Sequence, residues 1–393
     1  MHVSRDLLDQ YKKGAATPEE SDSIRKEIEK HEAISEFLAE EFTESLPPLD
    51  ESHDVPSAKK IARKVNVKLF CTILAILLST AALATAVIAS CNLYFYNPNR
   101  GIQTTYGGDG QLAVDMMAFT ELHSPGYSTY WAEAWQDGLG SYQIRLRQQN
   151  LFAGKSEDYS GQIIRGKSFG NNSDTPNGYW HFPLVNAFGS REGKFAYDET
   201  GETALSPTVH VKEDLDALAQ LPDSCRAAVY VTLSKDLTLE QFSDLYQNWQ
   251  EDLDFYYAAV ASSDDYMPTT IGFAPDSFGT ILEKDTLDEK KYPFFQLLGT
   301  SSDAANQASI WSTHFTSLLA YLSDRSPFLD AMTSVNGINA DYYQGVLNYV
   351  DKKGLNIYGL LISGNVQDVQ TFLTQESPAD FYVSGVRLSN FPD

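Results

Sequence analysis

A histidine followed four and seven residues later by two cysteines would supply three of the four ligands of a tetrahedral zinc site. His31 stands where such a triad would begin, but Ser35 and Leu38 occupy the cysteine positions, and the first cysteine in the chain is Cys71. His31 therefore reads as a surface or capping histidine, and neither metal nor cofactor is expected. Gly107-Gly108-Asp109-Gly110 has the glycines of a phosphate-cradling loop. It lacks the following Lys-Ser/Thr and an evident helix start, so it reads as a turn. Neither the Gly-x-Ser-x-Gly elbow nor His-Glu-x-x-His occurs. Neighbouring acids such as Asp264-Asp265 could do acid–base work. With 53 Asp and Glu in the chain such pairs arise from composition alone, and a solvated face is the simpler reading. Asn171-Asn172-Ser173 fits a glycosylation acceptor. Tyr130, Trp131, Trp135, Tyr179 and Trp180 could line a groove for sugar or peptide, although packing in a core or interface explains aromatic residues as well. No pattern in the chain is an enzyme signature.

The element that must carry whatever these residues do is the stretch from Leu69 to Ala89, which contains no charge. A helix of that length is about 30 Å long, the thickness of a bilayer's hydrocarbon core. Its polar residues, Thr72, Ser79, Thr80 and Thr85, have hydroxyls that can bond back to a carbonyl one turn earlier. Lys59, Lys60, Arg63, Lys64 and Lys68 precede the stretch, no basic residue follows until Arg100, and Tyr94, Phe95 and Tyr96 lie at the far edge. The positive flank belongs in the cytoplasm, and the aromatic residues suit the opposite interface. The stretch begins too late and runs too long for a cleaved signal peptide. Ile88-Ala89-Ser90-Cys91 resembles a lipoprotein box, but such a box follows a short N-terminal segment, and Cys91 reads as an ordinary interfacial cysteine.

Charge bounds the partners. The chain carries a formal charge of −24, and only the short segment before the anchor is basic. Phosphate neutralisation needs clustered Lys and Arg, so direct nucleic-acid binding is not expected. The acidic N-terminal segment suits a basic protein partner. With Cys71, Cys91 and Cys225 as its three cysteines, the chain is not a disulfide scaffold, and the large part after the anchor must be held by an apolar core.

Residues 1–45 read as two or three short helices. Ser4 can cap the first and Gly14 can end it. Thr17-Pro18-Glu19-Glu20 forms a capping box with Pro18 at the first helical position. Leu7, Leu8 and Tyr11, then Ile24, Ile28, Ile34, Phe37, Leu38 and Phe42, recur at helical spacing with charge opposite. So small a unit buries little by itself, and its stripe invites a partner. Residues 46–58 are rich in proline and acid and read as a tether. From Asn97 to about residue 200 the pattern is irregular β structure with long loops. Beyond it, strand–helix–strand is expected twice, near 227–261 and near 355–387. The first pair joins Ala227–Leu233 to Asp254–Ala261 through a helix capped at Thr238. The second joins Leu355–Ser363 to Phe381–Arg387. Helices are expected over 303–322 and Asp341–Lys352. The fold class is α+β, and the internal echo is that of a ferredoxin-like sandwich.

Tyr11-x2-Gly14, Glu19-Glu20, Ile28-Glu29-x-His31-Glu32-Ala33 and Phe37-Leu38 resemble the cytoplasmic segment of membrane-bound anti-sigma factors of Gram-positive bacteria. The cysteine poverty of the chain suits that setting. Farther on, Leu221-Pro222-Asp223-Ser224, Leu239-Glu240, the run from Gly354 to Gly364 and Val383-Ser384-Gly385-Val386 resemble the C-terminal domain of sigma factor regulators. The resemblance implies an α-helical cytoplasmic segment over 1–45 and a linker with the positive cluster over 46–68. It further implies a transmembrane helix over 69–91, a β-rich region over 97–205 and the regulator C-terminal domain over 206–393, both outside the cell. It implies that the inner helices withhold an extracytoplasmic-function sigma factor from polymerase, with Leu7, Leu8, Tyr11, Ile24, Ile28, Ile34, Phe37, Leu38 and Phe42 as contacts. The missing zinc triad places the sequence with the zinc-free members. The implied partners are that sigma factor, membrane lipid and a second membrane protein. The rival readings are an anchored extracellular module binding cell wall or peptide, and an anchored enzyme with an unrecognised site.

Overall fold

The computed structural model describes residues 11–12, 17–44, 58–102, 110–170, 188, 207–264, 269–276, 282, 286–299, 301, 303–332 and 337–388. It divides into two compact units, 1–79 and 80–393.

The first unit contains helix α1, Pro18–Glu44. Thr17 and Glu20 make the capping box read from the sequence: the Thr17 N–H donates to Glu20 Oε2 at 2.9 Å, and the Glu20 N–H donates to Thr17 Oγ1 at 3.4 Å. The helix then runs unbroken for 27 residues, longer than the short helices expected. Between Pro18 and Glu44 there is no Gly or further Pro to stop it, and Glu, Lys and Ala favour the helix. Helix α2, Ala58–Tyr94, begins in this unit and ends in the second. It too is longer than its apolar run, because the basic flank contains no breaker and continues the helix. Its stretch Ala62–Tyr94 is long and apolar enough to cross a membrane, with none of its most apolar window buried in protein. Two hydroxyls inside it bond backwards, Thr72 to the Lys68 carbonyl at 2.8 Å and Thr85 to that of Ala82 at 2.9 Å.

The second unit holds two antiparallel sheets on a shared core. After α2 comes helix α3, Gln111–His123. It was not expected from the sequence. It is buried on almost every side, so it carries no polar stripe for a periodic reading to detect. It also means that a helix does start directly after Gly110. Strands β1 (Tyr127–Gly138), β2 (Ser141–Asn150), β3 (Lys155–Ile164) and β4 (Lys167–Gly170) follow as a four-stranded meander. On β2, Tyr142, Ile144 and Leu146 point into the core, while Arg145 and Arg147 point out. Register sets Ala132 opposite Leu146 and Ala134 opposite Ile144, and the inward face is continuous.

Helix α4 (Pro207–Leu218) leads to the second sheet. Its framework is β5 (Cys225–Thr238), α5 (Leu239–Trp249), β6 (Leu253–Val260), then β8 (Asn356–Asn365), α9 (Val366–Glu376) and β9 (Asp380–Leu388). Between β6 and β8 the chain inserts β7 (Gly272–Phe273), α6 (Ala304–Ser323), α7 (Ser326–Met332) and α8 (Ala340–Lys353). The strand order is β7-β6-β8-β5-β9, antiparallel throughout. Two strand–helix–strand units interleaved in this order make the ferredoxin-like topology, here with one edge strand added. The sheet is covered on both faces. Val229, Val231, Phe255, Ile357 and Ile362 lie in the large core, and Tyr256, Tyr257, Tyr358 and Leu361 in a smaller one behind. Burial on both faces turns the strands into near-continuous apolar runs. The Thr238–Gln241 capping box opens α5, and Gly354, with φ of 81°, closes α8.

Trp311 on α6 locks the insertion to this framework. It is fully buried, its ring lies 4.9 Å from that of Phe242 on α5, and its indole N–H donates to the Pro275 carbonyl at 2.9 Å. Truncating a side chain of this kind costs about 3–5 kcal/mol. We therefore expect Trp311→Ala to lower the urea midpoint of the detergent-solubilised chain, read by circular dichroism, while an exposed change such as Lys352→Ala leaves it in place.

Candidate functional site

Two places in the chain are built for more than packing. One is the apolar stripe of α1. At about 100° per residue, Ile24, Ile28, Ile34, Leu38 and Phe42 fall within about 120° of arc, and Phe37 lies about 60° beyond it. The helix is about 40 Å long. Ile24 is buried, but Ile28, Ile34, Phe37 and Leu38 are 42%, 48%, 64% and 56% exposed. Tyr11 is half-buried. Phe42 belongs to α1, but its side chain is outside the described set, as are Leu7 and Leu8. By the same count Glu27 falls within the arc, Glu32 and Glu41 border it, and Glu29, Glu36 and Glu40 lie on the opposite face. His31 is exposed on the same helix.

The other place lies directly beyond the membrane-length helix. Tyr96, two residues past the end of α2, donates its hydroxyl to Asp115 Oδ2 at 3.0 Å. Asp115 sits on α3 with no exposed surface. Arg325, in the turn between α6 and α7, clasps it with two donors, Nε to Oδ1 at 2.7 Å and an Nη to Oδ2 at 2.8 Å. Tyr321 Oη donates to Oδ1 at 2.7 Å and Gln111 Nε2 at 2.9 Å. Five donors thus satisfy one buried carboxylate. Such a charge is tolerable in a core only when it is paired and fully hydrogen-bonded. Burial and the neighbouring carboxylate push the Tyr96 hydroxyl well above its ordinary pKa, so it stays a donor.

Two buried histidines lie on and against α3. His123 has the Thr270 carbonyl 3.0 Å from Nδ1 and the Tyr343 hydroxyl 2.8 Å from Nε2. Burial pushes its pKa down to about 4, so the ring is neutral, donating from Nδ1 and accepting at Nε2. His314 faces acceptors on both sides, the Phe294 carbonyl at 2.7 Å and Glu121 Oε1 at 2.7 Å. Burial opposes its charge, but the Glu121 carboxylate outweighs burial and the pKa lies above the ordinary value. Glu121 also borders an open cleft, with Met117, Thr129, Asp276, Phe295 and Leu297 around it. Tyr246 donates to Asp276, whose carboxyl burial pushes upward.

The aromatic candidates divide. Tyr130 and Trp135 are half-exposed on β1, and packing in a core does not account for them. Arg145 lies 5.5 Å from the Trp135 ring and Arg147 6.0 Å from that of Trp131. Tyr179 and Trp180 lie outside the described residues. Asp264 accepts from Tyr349 at 3.0 Å on the surface, and Asp265 is outside the described set. The knot at Asp115 escaped sequence reading because Tyr321 and Arg325 lie 206 and 210 positions from it. The one signal was an acid inside the otherwise apolar run Leu112–Phe119.

Residues 218–378 match the family described as sigma factor regulator C-terminal. The match runs from the last residue of α4 to just short of β9, and it includes Tyr321 and Arg325. No curated protein and no solved structure matches the chain.

Removing one partner of a buried ion pair costs about 3–5 kcal/mol. Asp115→Asn should therefore destabilise the second unit by that order in chemical denaturation and leave amides of α3 and of residues 95–102 faster to exchange. Asp115→Glu should do the same to a smaller extent. The histidines set the pH profile. A depressed pKa makes His123 stabilising above its ordinary value of 6.5, and that contribution is lost as pH falls toward 4. A raised pKa makes His314 stabilising below 6.5, and that contribution is lost as pH rises through its folded value. Thermal stability should peak near neutrality or just below, and His314→Gln should remove the decline on the alkaline side.

Proposed function

We propose that this chain, which carries a sigma factor regulator C-terminal domain and one helix of membrane-spanning length, is a single-pass anti-sigma factor. In this reading the N-terminal segment lies in the cytoplasm and withholds an extracytoplasmic-function sigma factor from polymerase. The part beyond α2 lies outside and responds to the state of the envelope. The divisions are 1–45 for sigma binding, 46–68 for tether and basic flank, 69–91 for the membrane, and 97–205 with 206–393 outside.

The observation that carries the reading is the exposed apolar stripe of α1 on an acidic helix at the N-terminal end of the same chain as the regulator domain. Ile28, Ile34, Phe37 and Leu38 leave about half of their surface open. A helix with such a face gains from an apolar groove on a partner. Leu7, Leu8, Tyr11, Ile24 and Phe42 extend the contact set. Glu27 within the stripe and Glu32 and Glu41 at its borders suit a basic surface, and a sigma factor's polymerase- and DNA-facing surfaces are basic. Charge complementarity of this kind chiefly sets association rate and partner choice, with the stripe supplying buried area. The five basic residues from Lys59 to Lys68 support the inward orientation. Release then requires a change beyond the membrane to reach α1, either through a second membrane protein or by cleavage.

The rival reading is an anchored module that binds cell wall or peptide. What favours it is the surface of β1 and β2, where Trp131 and Trp135 stand beside Arg147 and Arg145. The two readings part on the N-terminal segment. Residues 1–58, used as bait against the sigma factors of the source organism, should retain one selectively, and Ile28→Asp with Phe37→Asp should abolish retention. If none is retained by the full chain in nanodiscs either, the anti-sigma reading fails and the module moves forward.

A further inference from the structure

The chain beyond α2 does not leave the helix on a tether; two turns of the meander close on the helix end. Asn92, in the last turn of α2, accepts the Gly140 N–H through Oδ1 at 3.1 Å. Phe95 fills the space above Gly140 so closely that a Cβ there would lie 2.7 Å from its ring. Gly140 has φ of +76°, which suits glycine. Gly166 lies against the same ring and also has φ of +76°, with the Tyr96 nitrogen 3.9 Å from its virtual Cβ. The Arg165 N–H donates to the Gly140 carbonyl at 3.0 Å, which ties the β1–β2 turn to the β3–β4 turn.

The height of these turns follows from the helix. The apolar run Leu69–Ala89 gives way to Ser90 and Asn92, and Asn92 lies three residues past Ala89, about 4.5 Å at 1.5 Å per residue. The headgroup layer on each side of the hydrocarbon is about 5–8 Å deep. A backbone hydrogen-bonded to Asn92 therefore lies within that layer. What the turns present suits the place. Leu139 and Ile164 are 43% and 40% exposed at their tips, beside Leu93 and Tyr94 on the helix at 65% and 85%. Arg165 and Lys167 are exposed in the second turn. Asp137, the acid of the first, is engaged by Gln143 at 2.7 Å. The part of the chain beyond the anchor is strongly acidic, so a basic, apolar rim at this edge runs against its composition.

We infer that the β1–β2 and β3–β4 turns are seated in the lipid headgroup layer, with Leu139 and Ile164 against the acyl boundary and Arg165 and Lys167 on lipid phosphates. The inference rests on α2 spanning the bilayer and on nothing else in the functional reading. It makes the lipid surface a second support for the domain, so a change in domain posture and a change in helix tilt become one motion.

The test uses the full chain in nanodiscs containing anionic lipid, with Cys71→Ser and Cys91→Ser; Cys225 is buried and escapes labelling. A fluorophore is placed in turn at Leu139→Cys, Ile164→Cys, Ala84→Cys within α2, and Ala153→Cys. Ala153 lies at the far end of β2, about 30 Å along the strand from the first turn. Nitroxide on the lipid headgroup should quench the labels at 139 and 164 several-fold more than that at 153. Arg165→Glu with Lys167→Glu should reduce the difference. Equal quenching at 139, 164 and 153, with the label at 84 quenched by mid-chain nitroxide, would overturn the inference while leaving the spanning helix. A label at 84 that escapes mid-chain nitroxide would overturn both.

Discussion

One buried carboxylate holds the second unit to its anchor. Asp115 collects Arg325 and Tyr321 from the inserted helices, Gln111 from its own helix and Tyr96 from the segment that emerges from α2. The pair does not earn its place by net attraction, since a buried ion pair roughly breaks even against apolar packing. Its value is in geometry. A planar guanidinium and a carboxylate meet in one orientation, and each hydroxyl that joins them fixes another element. Tyr321 and Arg325 lie within the family-matched stretch, while Tyr96 follows the helix directly. The family-matched stretch and the end of the helix are thereby joined through a charged centre, beside which the Tyr96 ring packs against that of Phe328.

That join gives the functional proposal its physical form. The ferredoxin-like framework is a rigid support, covered on both faces and pinned by Trp311. The insertion between β6 and β8 brings His314 toward Glu121 and brings Arg325 to Asp115. A ligand or force acting on the open cleft or on the Trp–Arg surface therefore acts on elements that share contacts with the helix end. Helix α2 runs from Ala58 to Tyr94 without proline or glycine.

Much of this was legible in the sequence. The anchor, the capping boxes at Thr17 and Thr238, the Gly354 stop and the two strand–helix–strand units were all written in local patterns. Each is decided by neighbours within a few residues. The apolar strands near 227 and 355 were legible because double burial removes alternation and leaves long runs. What escaped was decided at long range. Helix α3 has no polar face because it is enclosed by the meander and the insertion. The Asp115 knot depends on Tyr321 and Arg325, 206 and 210 positions away. Trp135 and Tyr130 on β1 look like core residues in the sequence; the pairing with β2 sets Trp135 on the face that carries Arg145, and Tyr130 is the extra residue where the register shifts between Thr129 and Trp131. The stripe on α1 was visible at once, but Phe37 lies off its centre, and Ile24 is buried where its neighbours are not.

The central claim is that the N-terminal helices restrain transcription while the rest of the chain holds them at the membrane. It is tested most directly by deleting residues 1–45 from the chromosomal copy, keeping the anchor and all that follows, and mapping transcripts across the genome. The account predicts that one promoter class, sharing a single pair of recognition elements, rises to the level seen when the whole chain is removed. Unchanged transcription from every promoter class after both deletions would contradict it.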